Sequence, residues 1–540
     1  EEEEEKPKMK VKKKREEEEE ETETNEEEEE SEETTKDDDS DDVFIEQTNP
    51  NKSLLDKINP FNVFDKRIKG YIEYYGDDIG AIHKSYKSFL RVILPVTALI
   101  MFLGFLKIRF FLFSIPFLVL LAYFYPLLYT YSKAQEQKKN VNNEAPFIAL
   151  IAYVNSLIDK GLNKTLKDLS KIKEMKVARI EQMFIEKMTT YMNKTFEQAI
   201  ARRARVHAND FLGRIYSNYL AAMDLGFTIR DRMRDITTEL LNEWKETFKA
   251  YTDKSAELTE LIFAVFLLIP MTLIGFSFTF KVSLIEIIAP LLVAPALYFA
   301  VTSSQPFRLY NLKYGKYLPL LLLVPIIILI PHFSFSIKII LIMALFTALS
   351  SVVYSQITLA DSLEKSLPIL LKETAEYMRL GYTVQDAILR VRLASKRVTE
   401  AIQKYIKDPE NVNSPSALFN LAFKMIFITA EPGASSAALQ ELGNIVSEIV
   451  FAKNNTVRQL RLFDILTILT PVLMWMTFGI LGKINGGHAI PIGVIIGSYS
   501  LVSAMLFNKI SRFTLLYFPT MLLVTIITVA LLFLPIQLPG

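Results

Sequence analysis

The residues best placed to do chemistry in this chain are basic. Arg202, Arg203 and Arg205 lie in one short run, and none has an acidic residue three or four positions away. On a helix those offsets are where a counter-charge sits, so the three cations must meet either an external anion or a carboxylate from elsewhere in the chain. Neighbouring arginines are better served. Arg214 has Asp210, Arg234 has Asp231, Arg390 has Asp386 and Arg397 has Glu400, which leaves Arg392 as a further under-paired cation. Between Lys160 and Arg234 stand 16 Lys or Arg against 8 Asp or Glu. Such a surface suits an acidic protein face, tertiary salt bridges or anionic headgroups. Nucleic acid is not expected, because no aromatic residues interleave with the cations.

Catalysis finds little material. The chain has no cysteine, which removes thiol chemistry, disulfides and cysteine-ligated metals. Its four histidines (His83, His207, His332 and His488) are scattered, and His207, without a companion ligand, is expected at the surface. The run from Gly482 to Gly487 lacks the Gly-Lys-Ser/Thr ending of a phosphate loop. No Ser/His/Asp arrangement or apolar carboxylate pair stands out. Asp224 and Glu431 each lie a few residues before a helical stretch, where a carboxylate favours free amides. The expectation is a non-enzyme without cofactor or metal.

The elements that position these residues are membrane spans and two long polar insertions. Nine apolar stretches, grouped as two, four and three, cover Phe89–Leu106, Phe110–Tyr131, Glu260–Phe280, Val282–Val301, Tyr317–Pro331, Ile337–Tyr354, Leu462–Leu481, Ala489–Phe507 and Phe513–Leu534. About twenty helical residues cross the hydrocarbon core, and the fifth stretch is short and interrupted by Pro319, Pro325 and Pro331. Ionisable residues are almost absent from these stretches, with Glu286 and Lys281 near an end. Transport paths normally need buried charge.

Lys84, Lys87 and Arg91 precede the first span, Lys133, Lys138 and Lys139 follow the second, and Arg308, Lys313 and Lys316 separate the fourth from the fifth. The opposite connections are short and poor in cations, which predicts a cytoplasmic N-terminus, cytoplasmic insertions and an exterior C-terminus in the cell membrane.

Residues 1–42 hold 24 acidic and 8 basic residues, and read as an acidic tail without a core. The chain opens on Glu rather than Met, so the native start is expected upstream. The expected plan is all-α: tail 1–42, cytoplasmic segment 43–88, spans 89–131, helical domain 132–260, spans 261–354, helical domain 355–461 and spans 462–540.

The two insertions echo each other. Glu144 and Pro146 precede an apolar helix ending near Gly161; Glu364 and Pro368 precede one ending at Gly381. Later come Asp224–Leu225–Gly226 in the first insertion and Glu431–Pro432–Gly433 in the second, each followed by an amphipathic helix and then a span. Proline before and glycine after a helix are ordinary punctuation; their recurrence in one order is a repeat.

Two helical insertions, each ending in an acidic-x-Gly turn, a helix and a span, resemble the type II secretion system F domain family. These are the polytopic platforms of type II secretion, type IV pili and archaella. Nine spans are most similar to the archaeal branch, the archaellum and adhesive-pilus platforms. The resemblance covers roughly Glu144 to the C-terminus. It implies a non-enzymatic scaffold docking a cytosolic hexameric secretion ATPase and coupling its movements to insertion of pilin-like subunits into a filament. Arg202, Arg203, Arg205 and Arg392 are then candidate docking residues, and a homodimer fits the symmetry of such a partner. A transporter or export permease with regulatory domains, or a membrane receptor, are the rival readings.

Overall fold

The structure is a computed structural model that describes residues 63–533, apart from 77–78, 106–113, 277–283, 307–309, 316, 332, 410, 430–435 and 485–491. The acidic tail, Glu431, Gly433 and the glycine pair Gly486–Gly487 lie outside the described residues. Among those described the chain is helical; its one β feature is an isolated bridge between Tyr310 and Ser416.

Helix α1 (Asp65–Tyr75) leads to α2 (Ile79–Phe105) and then to α3 (Ser114–Ser156), a single 43-residue helix. Four shorter helices follow: α4 (Leu162–Ser170), α5 (Lys176–Tyr191), α6 (Phe196–Val206) and α7 (Phe211–Asp224). Their starts are written in the sequence. Thr195 and Gln198 form a reciprocal capping box on α6, and Asp210 accepts from the amides of Leu212 and Gly213 at the start of α7.

Helix α8 (Ile229–Phe263) buries Met233, Ile236, Leu240, Trp244, Phe248 and Tyr251. Spacings of three and four put these on one stripe facing the core. The helix continues through a π-helical turn, Ala264–Leu268, into α9 (Ile269–Phe276). Pro270 has no N–H to offer the preceding turn, and a π turn is a common way to absorb that loss without breaking the helix.

Two short helices, α10 (Leu284–Ile288) and α11 (Ala294–Ser304), flank a 3₁₀ turn at Pro290. A further 3₁₀ turn, Leu318–Leu322, leads to α12 (Leu323–Leu329). Helix α13 (Phe335–Arg379) spans 45 residues without interruption. The second insertion completes itself with α14 (Val384–Arg390), α15 (Lys396–Ile406), α16 (Ala417–Thr429) and α17 (Ser436–Gln459). Helices α18 (Arg461–Ile484), α19 (Ile492–Arg512) and α20 (Phe518–Phe533) end the described chain.

Five helical stretches among the described residues are long and apolar enough to cross a membrane: Ile229–Leu273, Glu286–Ser304, Phe335–Arg379, Ser436–Thr477 and Gly493–Arg512. Large apolar side chains such as Leu292, Phe299, Leu329 and Phe335 stand exposed along the apolar helices, as lipid-facing residues do. The expected fifth span is shorter than its sequence suggests. Its apolar helix, Pro319–Leu329, rises about 18 Å against a hydrocarbon core of roughly 30 Å, because Pro319 confines its start to a 3₁₀ turn. The apolar α16 is instead core, with Phe419, Phe423 and Ile426 fully buried inside the second insertion.

One expectation about the repeat needs correction. Pro146 and Pro368 do not precede helices but lie inside α3 and α13, whose flanking residues Phe147, Ile148, Leu367 and Leu370 are buried. Each proline forfeits one backbone hydrogen bond, which dense packing on both sides outweighs. The two insertions pack against each other. One hydrophobic cluster contains Trp244 and Phe248 from the first together with Leu371 and Ile445 from the second. Lys424 meets Glu174 at 2.6 Å and Lys245 meets Glu448 at 2.5 Å across the same junction.

Between α13 and α19 the apolar helices approach closely. A Cβ on Gly497 would lie 2.6 Å from Ile339 Cγ1, and one on Gly493 2.7 Å from Ser336 Oγ. These small residues four apart let the backbones meet. Gly497→Leu is expected to lower stability in detergent by about 1–3 kcal/mol, the usual penalty of overpacking, read as an earlier thermal transition.

Candidate functional site

The arginine run does not form the open cationic patch that its spacing suggests. Arg203 is 1 % exposed, and its Nε and Nη2 donate to Glu181 Oε2 and Oε1 at 2.9 and 2.6 Å. Glu181 comes from α5, 22 positions earlier, and so answers the need for a non-local carboxylate. Arg203 Nη1 also donates to the Glu73 carbonyl at 2.8 Å, and its guanidinium lies 4.3 Å over the Phe184 ring. Arg202 pairs with the Glu73 carboxylate at 3.1 Å. Arg203 is therefore removed from any docking surface, and Arg202 is committed to α1.

His207 is likewise buried rather than exposed. Its Nδ1 lies 2.7 Å from Asp210 Oδ2 and its Nε2 3.1 Å from Glu181 Oε1. Carboxylates at both ring nitrogens suit a doubly protonated imidazolium. Arg203 Nη2 sits only 3.0 Å from Nε2 because both groups converge on the same Glu181 oxygen. Tyr74 donates to Asp210 at 2.7 Å and Tyr216 to Glu181 at 3.1 Å. Asp210 is thus engaged, and Arg214 turns instead to Glu239 and Glu243 on α8.

Burial works against charge on Glu181, yet Arg203 and then His207 hold it well below the usual carboxylate range. Burial also opposes charge on His207, but Glu181 and Asp210 raise its pKa above the ordinary 6.5. The His207 contribution is full below 6.5 and lost as pH rises through its raised folded value. The Glu181 contribution is present above its unfolded pKa and lost on strong acidification. The two groups therefore fail at opposite ends of the pH scale, Glu181 on acidification and His207 on alkalinisation. What the network does is mechanical: it fastens α1 to α5, α6 and α7. Gly76 ends α1 with a φ of 79°, and a Cβ there would meet Ile180 Cγ2 at 2.7 Å, so the close seating of α1 requires glycine.

Glu144 and Glu364, the paired carboxylates of the repeat, are both buried but serve different ends. Glu144 accepts from the Lys176 and Val177 amides at 3.1 and 2.9 Å, capping α5 from a distance. Glu364 accepts from Ser416 Oγ at 2.6 Å and pairs with Lys453 at 2.5 Å. Burial pushes the Glu144 carboxyl up to about 7, against the amide hydrogen bonds that favour its charge. A raised folded pKa means that stability is highest below the ordinary value of 4.5 and falls as pH rises through 7. Relative to Glu144→Gln, the protein is expected to lose about 3 kcal/mol between pH 4.5 and 8, measured by thermal unfolding across that range.

The exposed features lie at the ends of the insertions farthest from the apolar spans. Asp224 ends α7, and Gly226 takes a φ of 68° in the turn to α8. Asp224 does not cap α8: Thr228 stands at that position, bonded to Asp231. The turn presents Leu225 at 67 % and Phe227 at 53 % exposure, with Arg232 5.4 Å over the Phe227 ring. In the second insertion Leu380, 73 % exposed, caps the end of α13, and Gly381 turns the chain with a φ of 92°. Tyr382 beside it carries Arg390 at 4.1 Å over its ring. Gly161 precedes α4 in extended backbone, so the two repeat glycines do different work. Arg205 and Arg392 are both exposed. The structure therefore brings Arg202 and Arg203 into one network, leaves Arg205 and Arg392 apart on the surface, and adds two apolar turns that charge patterning did not single out.

Among the described residues no group of three His, Asp or Glu is placed to hold a metal ion. No family model, no curated protein and no solved structure matches this chain.

Proposed function

We propose that this chain is the membrane platform of a type IV-pilus-like filament machine of the archaeal kind, most like that of the archaellum. In this reading nine spans carry two related cytoplasmic domains, with the N-terminus inside and the C-terminus outside. The observation that carries it is the continuity of two helices from exposed turn to membrane stretch. Helix α8 starts one residue past the Leu225–Thr228 turn and runs unbroken into the apolar Ala264–Phe276 segment. About 30 helical residues, or roughly 45 Å, separate that turn from the expected membrane boundary. Helix α13 does the same between Phe335 and Arg379, holding the Leu380–Tyr382 turn roughly 40 Å out.

A displacement applied to either turn is transmitted along a rigid rod to apolar helices. That is what coupling an ATPase to a filament base requires. The partner is a cytosolic hexameric secretion ATPase, and the load is a pilin-like subunit drawn from the bilayer. The shared core and the Lys424–Glu174 and Lys245–Glu448 bridges make the two rods move together.

The test is a binding measurement between the full chain in lipid nanodiscs and a hexameric secretion ATPase from the same cells. Saturable binding is expected. Correctly inserted protein that binds no such ATPase rejects the reading.

A further inference from the structure

Where α17 gives way to α18, a cavity of about 280 Å³ opens at the foot of the second insertion. Five cations line it, Lys365, Lys453, Arg458, Arg461 and Arg512, against one carboxylate, Asp361. Lys453 is held by Glu364 at 2.5 Å and Asp361 at 3.5 Å, and Arg512 is paired with Asp464. Those three carboxylates leave an excess of two positive charges. Lys365, Arg458 and Arg461 are exposed and have no ion-pair or hydrogen-bond partner among the described residues. Arg512 Nε is buried without a hydrogen-bond partner, although its guanidinium lies 4.7 Å over the Tyr517 ring. Burying a guanidinium nitrogen unpaired is costly, and so many cations around one cavity repel unless an anion joins them.

The surroundings indicate which anion. Directly after Arg461, Leu462, Ile465 and Leu469 stand exposed at spacings of three and four, forming an apolar strip that leads away from the cavity along α18. A cationic pocket continuous with a lipid-facing strip has the shape of a headgroup site: charge for the phosphate, apolar surface for the acyl chain. We propose that this cavity binds the phosphate of an anionic membrane lipid. The site would fix the height of α17 and α18 at the membrane surface. It depends on the chain's being a membrane protein and not on the platform reading, so the two fail separately.

The test uses purified full-length protein in neutral detergent, with bound lipid counted by native mass spectrometry during titration with phosphatidylglycerol or phosphatidylcholine. Phosphatidylglycerol is expected to bind preferentially. Lys365→Gln, Arg458→Gln and Arg461→Gln together should weaken it about 100-fold, from roughly fivefold per cation near the surface. All three side chains are exposed, so the thermal transition should stay unchanged; if it moves, R461Q alone carries the test with its fivefold loss. An unchanged lipid preference in the variants overturns the proposal. So does inorganic phosphate competing at equal concentration, which would make the ligand a free anion. A preference that emerges only after deletion of residues 1–42 would assign the cavity to the chain's own acidic segment, and would overturn it as well.

Discussion

Replacing Arg203 with methionine is expected to destabilise the first insertion by about 3–5 kcal/mol, measured as an earlier thermal transition in detergent. The cause is the partner left behind. Glu181 has no exposure in the folded protein, and Arg203 supplies two of its hydrogen bonds. Without that guanidinium the carboxylate keeps, among the described residues, His207 and the Tyr216 hydroxyl. Protonation then becomes its cheapest escape, so the variant should recover part of its stability as pH falls toward 4, the reverse of the wild-type trend for this group. Changing both partners, R203M with E181M, removes the uncompensated charge and is expected to restore most of the loss. A single variant as stable as the wild type would mean that the pair contributes nothing net. Because Arg203 also holds the Glu73 carbonyl, α1 should loosen in the single variant, seen as faster amide exchange across Asp65–Tyr75.

The largest expected effect on binding lies at the α7–α8 turn. Leu225→Asp with Phe227→Asp should weaken ATPase binding at least 30-fold, equivalent to about 2 kcal/mol, as loss of an apolar anchor at an interface centre does. Folding should barely change, because both side chains are already in solvent. Arg205→Glu and Arg392→Glu are expected to act differently, lowering the association rate in a salt-dependent way and leaving the dissociation rate nearly alone. Full affinity in the turn variant would move the docking surface elsewhere.

Much of the fold was legible because hydrophobic periodicity reports burial directly. The stripe from Met233 to Tyr251 on α8 shows its spacing in the sequence, as do the cap residues Thr195 and Asp210. The continuity of α3 and α13 was hidden by Pro146 and Pro368, since local rules read proline as a boundary and only tertiary packing overrides them. The candidate site was harder. The offsets at Arg203 leave open an external anion or a non-local carboxylate, and nothing near it in sequence points to Glu181 on another helix. His207 carried a visible clue, with Arg203 four residues before and Asp210 three after, spacings that place all three on one side of a turn. Leu225 and Phe227 give no signal in the sequence because an isolated exposed apolar residue is ordinary; their placement at the end of a long rod gives them weight.

Deletion of the gene, followed by electron microscopy of the cell surface, tests whether this chain is needed to build a filament. Deletion cells are expected to lose one class of surface filament, regained on complementation with the wild-type chain and not with the variant carrying aspartate at positions 225 and 227. Deletion cells that keep every filament they had would contradict the platform reading.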